Sequence, residues 1–208
     1  MKVISALVLA ASINAIGIGS ASATVVFSDN FEGYGEAIPT ASSFGGWSVI
    51  GGSVDIIGEG TSYSWPVLSA YGKYLDLDGS TGNGGHISTS AIFGAGTYVL
   101  KFSLAGNQRG FADDIVTVDF GTKDVIAGTG YSDSFTLASS ASFTEYVLTV
   151  KLGTASALSF KNAGNDNVGA LLDNVSITAV PEPSSYAMMF AGLMMIGSMV
   201  VRKSKHSA

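Results

Sequence analysis

The side chains able to do chemistry in this chain are overwhelmingly carboxylates. Of its 16 Asp and Glu residues, 15 lie between Thr24 and Val180, against 6 Lys and Arg in the same stretch. There is no Cys, and of two His residues one, His206, falls at the C-terminal end, which leaves only His86. Thiolate nucleophiles, disulfides, thiolate zinc sites and cysteine lipidation are thereby excluded. No Gly-x-Ser-x-Gly elbow, His-Glu-x-x-His helix or Walker loop occurs, so the motif-borne hydrolase and nucleotide chemistries are absent. Asp76 and Asp78 in "DLDGSTGN" superficially resemble a calcium loop. They lack the EF-hand spacing, with ligands at positions 1, 3 and 5, Gly at 6 and Glu at 12, and read as strand-end residues before a Gly turn. Asp113-Asp114 opens a strand and reads as a solvated turn. A two-carboxylate glycosidase needs only Asp or Glu brought together by the fold. That is the one enzymatic alternative, and the chain is otherwise read as non-catalytic.

Sugar binding asks for exposed aromatic platforms and planar polar groups at one edge of a domain. The available residues are Trp47, Trp65, Tyr63, Tyr71, His86, Asn107 and Arg109. Trp65 and Tyr63 lie in "TSYSWPVLSAYG", which lacks alternation and reads as a loop that can expose its rings. Trp47 opens a strand after Gly45-Gly46 and reads as core. Asn107 and Arg109 sit in "AGNQRGFADD", a loop after a strong strand, where Asp113 or Asp114 is the nearest partner for the guanidinium. The carboxylate excess repels phosphate backbones and no basic stripe offsets it, so nucleic-acid binding is excluded.

These residues must be positioned by strands. From Thr24 to Val180 the pattern is period-two alternation in short runs bounded by Gly, Asn, Asp and Ser, the signature of half-buried strands. In "TYVLKFSLAG", Tyr98, Leu100, Phe102 and Leu104 share one face. In "EYVLTVKLG" the set is Tyr146, Leu148, Val150 and Leu152, and in "DIVTVDFG" it is Val116, Val118 and Phe120. "TVVFSD", "GWSVI", "SVDII", "KYLDLD", "GHISTS", "DSFTLA", "ALSFKN" and "LLDNVSITAV" are shorter candidates. Strands at this spacing with Gly-rich turns, and no strand–helix alternation, predict an all-β antiparallel sandwich, a jelly roll, over residues 24–180.

The two ends differ from this middle. Residues 1–23 carry Lys2, an apolar run from Val3 to Ile18 and Ala21-Ser22-Ala23, the plan of a signal peptide cut by signal peptidase, with Thr24 as the first mature residue. At the back, "VPEPSSYAMMFAGLMMIGSMVVRKSKHSA" begins with prolines that end the domain. Sixteen uncharged, mostly apolar residues from Tyr186 to Val201 follow, then Arg202, Lys203 and Lys205. As a helix, this run rises about 24 Å. Snorkelling basic residues and flanking serines extend it to a single transmembrane helix, with its charged end in the cytoplasm.

This tail resembles the PEP-CTERM sorting signal of Gram-negative bacteria: a Pro-Glu-Pro motif (Pro181, Glu182, Pro183), a short apolar helix and a terminal basic cluster. The resemblance implies recognition by exosortase, a membrane protease of transpeptidase type, after export across the inner membrane. The molecule released would belong to the cell surface or the exopolysaccharide matrix. Residues 25–179 resemble galactose-binding-like jelly rolls, which include many carbohydrate-binding modules. "DNFEGY", "GWSVIGGSVDII", "YLDLDGSTGNGG" and "LSFKNAGNDNVGALLDNVSI" carry the likeness. It implies polysaccharide as ligand and one structural Ca²⁺, with Glu32 and Asp173 as the matching ligands and backbone carbonyls as the rest. Asp173 shares strand parity with Val175 and Ile177, so it is expected on the core face, where a carboxylate is costly unless paired or metal-bound.

Overall fold

The structure, a computed structural model, describes residues 22–40, 42–63, 66–164, 166–181 and 192–194. The strands are β1 (Thr24–Asp29), β2 (Ala37–Thr40), β3 (Trp47–Gly51), β4 (Val54–Gly58), β5 (Lys73–Asp76) and β6 (His86–Thr89), then β7 (Gly96–Ala105), β8 (Asp114–Asp124), β9 (Thr129–Leu137), β10 (Thr144–Leu152), β11 (Leu158–Asn162) and β12 (Leu171–Val180). A 3-10 helix, Pro66–Tyr71, leads into β5. One sheet of seven strands runs β10-β7-β12-β5-β4-β2, with β1 also paired to β12. The other, of five strands, runs β3-β6-β11-β8-β9. Every pairing is antiparallel, as the alternation predicts.

The alternating apolar residues meet between the sheets. Phe102 of β7 contacts Phe160 of β11 edge-on at 5.3 Å and Phe135 of β9 at 5.6 Å, and Phe27 of β1 meets Trp47 of β3 at 5.1 Å. Edge-to-face packing suits the ring quadrupoles, and each buried ring adds about 1.5–3 kcal/mol from area alone. Trp47 is fully buried, as read from its place after two glycines. Tyr98, Leu100, Phe102 and Leu104 are all buried, and so are Val116, Val118 and Phe120. The architecture is a two-sheet β-sandwich.

Two departures from simple pairing shape the surface. One edge of β12 is shared: Leu171 and Leu172 pair with β5, whereas Val175 to Ala179 pair with β1. On its other edge β12 bulges, with Asp173 opposite Ser103 and Ser176 opposite Lys101. Two residues, Asn174 and Val175, therefore face one on β7, and Asn174 takes a left-handed φ of 52°. A bulge reverses the side-chain parity beyond it. This corrects the expected placement of Asp173: its register is with Ser103, on the face of Lys101, and not with the core residues Leu100 and Phe102.

Pro181 follows β12 directly, while Glu182, Pro183, Arg202, Lys203, Lys205 and most of 186–201 lie outside the described residues. Residues 192–194 are helical. Among the described residues no helix is long and apolar enough to cross a membrane.

Candidate functional site

Strand register builds a polar strip on the outer face of the seven-stranded sheet. Ser28 on β1 pairs with Ser176 on β12, Ser176 with Lys101 on β7, and in the next row Asp173 pairs with Ser103 and Ser103 with Glu145 on β10. Period-two geometry aims these side chains away from the core. With Asn30, Gly33 and Tyr34 from the loop after β1, Ser28, Ser176, Lys101, Ser103 and Glu145 line an open groove of about 630 Å³, and Asp173 is buried outside it. Lys101, Glu145, Asn174 and Asn30 are exposed. An ammonium, a carboxylate, amides and hydroxyls thus alternate over four strands, an inventory of donors and acceptors suited to a polyol.

The groove's upper wall is rigid. Asp29 accepts hydrogen bonds from the Phe31 N–H at 2.9 Å, the Tyr34 hydroxyl at 2.7 Å and the Trp47 indole N–H at 2.9 Å. Burial and the Asp29 carboxylate push the Tyr34 hydroxyl up to about 12, so it stays a donor at every ordinary pH. Tyr34→Phe is expected to lower stability by about 1 kcal/mol, the worth of one such bond, in denaturant unfolding. The Phe31 and Trp47 bonds to Asp29 remain.

Asp173 lies beneath this wall, buried, with its oxygens accepting from the N–H of Asn174 at 2.6 Å and from the Asn174 side-chain amide at 2.8 Å. Burial, aided by the charges of Glu32 and Asp29 and opposed by the Asn174 N–H, raises its pKa to about 7. Glu32 is exposed, and its carboxylate accepts from the Lys73 N–H at 2.9 Å. The predicted calcium pair therefore shares one electrostatic neighbourhood, in which the charges of Glu32 and Asp29 act on the buried Asp173 carboxyl. Among the described residues no three of His, Cys, Asp and Glu converge to hold a metal, so such an ion would draw most of its ligands from backbone carbonyls.

A second polar cluster closes one end of the sandwich, and Arg109 and Asn107 belong to it. Arg109 donates to Asp76 at 3.0 Å and to the Asn167 carbonyl at 2.9 Å; its partner is Asp76, not the sequence-near Asp113 or Asp114. Asp76 also accepts from the N–H groups of Asp78 and Gly169, each at 3.0 Å. A Cβ on Gly169 would fall 2.7 Å from that same carboxylate oxygen, so the approach requires glycine. Asn107 is buried. Its amide donates to Asp114 and the Ala112 carbonyl, and its oxygen accepts from the Arg109 N–H and the Ser139 hydroxyl. Burial raises Asp114 to about 6, opposed by the Asn107 bond, and raises Asp55 and Asp78 as well. Asn107 and Arg109 thus tie loops together, with Asn107 wholly committed internally.

Of the other predicted sugar contacts, Tyr63 is 54% exposed, and Trp65 lies outside the described residues. The groove residues Lys101, Ser103, Glu145 and Ser176 escaped sequence reading because they are the ordinary polar halves of alternating strands. Only the register, and the bulge at Asp173, brings them into one strip.

No family model and no curated protein matches the sequence. Among solved structures, the chain is similar to the K3 cleaved adhesin domain of Lys-gingipain from Porphyromonas gingivalis, at 14% identity over 76% of this chain and 100% of that one, with a TM-score of 0.49. It is similar to the CBM22-1 xylan-binding domain of Paenibacillus barcinonensis Xyn10C, at 17% identity over 77% and 97% with a TM-score of 0.46. It is also similar to the C-terminal family 22 carbohydrate-binding module of Clostridium thermocellum Xyn10B, at 14% identity over 76% and 96% with a TM-score of 0.42.

Proposed function

We propose that the sandwich is a non-catalytic glycan-binding module of jelly-roll type, and that polysaccharide lies along the groove on its seven-stranded sheet. The observation that carries this reading is the strip of Ser28, Ser176, Lys101, Ser103 and Glu145 under the Asn30–Tyr34 wall. It is open to solvent along the sheet face, and its alternating donors and acceptors match a sequence of hydroxyls. The exposed ring of Tyr63 provides a stacking surface elsewhere on the domain.

The rest of the chain serves delivery. The signal peptide over 1–23 directs export, and the tail from Pro181 holds the precursor in the inner membrane until exosortase acts on it. The product is a surface or matrix protein that grips exopolysaccharide. A structural Ca²⁺ between Glu32 and Asp173 belongs to the same reading, supported by the burial of the Asp173 carboxyl within the field of Glu32 and Asp29.

The test is a pair of substitutions on the exposed strip. Lys101→Ala with Glu145→Ala removes two charged hydrogen-bonding groups without touching the core. Binding to polysaccharide should weaken by about tenfold or more, since hydrogen bonds to charged groups are worth roughly 1.5–3 kcal/mol, with the melting temperature unchanged. Unaltered binding by the double variant would remove the groove as the site.

A further inference from the structure

The two ends of the sandwich differ in character. Register places the starts of β1, β7 and β9 and the ends of β8, β10 and β12 at one end, because Thr24 pairs with Ala179, Thr97 with Val180, Gly96 with Leu152, Phe93 with Ser156, Leu158 with Phe120 and Asp124 with Thr129. Both the entry from residues 1–23 and the exit towards Pro181 are therefore here. From this end the β8–β9 hairpin projects with Val125 83% and Ile126 101% exposed, and Ile92 in the β6–β7 loop is exposed as well.

The hairpin tip is organised, not loose. The Asp124 side chain accepts from the N–H groups of Ile126 at 2.9 Å and Ala127 at 3.0 Å, which fixes an Asx turn and holds two β-branched side chains out in water. Charge is segregated in the same sense. The charged residues beside the tip and adjoining strand ends are Lys123, Lys151 and Asp124. The carboxylates Asp55, Asp76, Asp78, Asp114 and Asp166 gather at the opposite end, where their charges interact.

We propose that this end faces a lipid bilayer and that Val125 and Ile126 enter its interfacial layer. The inference rests on the reading of residues 186–201 as the membrane segment, whose attachment point at Val180 lies at the same end. An apolar tip beside basic residues matches an anionic membrane surface, and the acidic end then points away, with the groove standing along the side. The tip would fix the tilt of the sandwich while the precursor waits at the membrane.

The absence of Cys allows a direct test on the full chain. Ile126→Cys at the tip and Ser140→Cys on the exposed turn at the far end are each labelled with a polarity-sensitive fluorophore. The chain is reconstituted into vesicles of phosphatidylethanolamine and phosphatidylglycerol. The label at position 126 is expected to shift to the blue and to be quenched by bilayer-borne quencher about threefold or more above the label at 140; Val125→Asp in the same background should abolish the difference. A chain that floats with the vesicles while both labels report water would overturn the tip's role alone. A chain that does not float would overturn the membrane reading of the tail, and this inference with it.

Discussion

Arg109→Ala is expected to be the most destabilising single substitution outside the aromatic core. Arg109 and Asp76 form the one ion pair found among the described residues, at 3.0 Å, with the guanidinium side chain 25% and the carboxylate 2% exposed. Breaking a buried pair by removing one partner typically costs about 3–5 kcal/mol, because the other charge is left without compensation. Here the orphan would be Asp76, whose pKa burial already pushes up to about 8 against the pull of Arg109 and two N–H groups, with Asp55 adding to the rise. Without Arg109 that carboxylate must take a proton or admit water, and the Asn167 loop loses its anchor. The loss should appear as a lower denaturant midpoint, larger at pH 8 than at pH 5. Arg109→Met combined with Asp76→Asn should recover much of it, since removing both leaves no unpaired buried charge. A single variant as stable as the parent at pH 8 would show that the cluster does not depend on the pair.

Asp173→Asn is expected to stabilise the protein at alkaline pH. The folded pKa of Asp173 is about 7 against an ordinary 3.8. A raised carboxylate pKa makes a contribution that is fully present below the unfolded value and is lost as pH rises through the folded one. The parent should therefore melt higher near pH 5 than near pH 8, with Asp114, at about 6, adding to the same slope. Charging Asp173 costs about 2–4 kcal/mol at pH 8. The Asn variant should lose most of that penalty, melt several degrees higher at pH 8 in chelator, and show a flatter pH profile. Calcium changes the comparison in a diagnostic way. If an ion sits between Glu32 and Asp173, calcium should raise the parent's melting temperature at pH 8 and leave the variant's unchanged. A melting temperature of the parent that is indifferent to both calcium and chelator would remove the ion.

The strands were legible in the sequence because alternation of apolar residues is local information. Eleven of the twelve strands overlap a run read from it, β8 and β9 extending several residues beyond theirs. The exception, β2, is Ala37–Thr40, four residues that include Pro39 and show no alternation. It forms an end of the seven-stranded sheet, where a missing N–H is tolerated. The core place of Trp47 was equally legible. What could not be read were features set by register between distant strands. Parity counting put Asp173 with Val175 and Ile177, and the bulge at Asn174 reversed it. Arg109 was matched with its nearest acids in sequence, yet the fold carries it to Asp76, 33 residues away. Asn107 reads from sequence as a candidate sugar contact, yet Arg109, Ala112 and Asp114 just after it and the distant Ser139 take up its amide and its oxygen. The groove itself has no sequence signature, since a Ser, a Lys and a Glu on the outer face of a strand are what any solvated sheet displays.

The central claim is that the sandwich grips a glycan in that groove. The most direct measurement is retention of residues 24–180 on the exopolysaccharide of the producing cell, by affinity electrophoresis, with the Lys101→Ala, Glu145→Ala double variant alongside. The account predicts a retarded parent and a double variant that runs with the unretained control. A parent that is not retained on that polysaccharide or on any other glycan tested would contradict it, and would leave a sandwich whose role is structural.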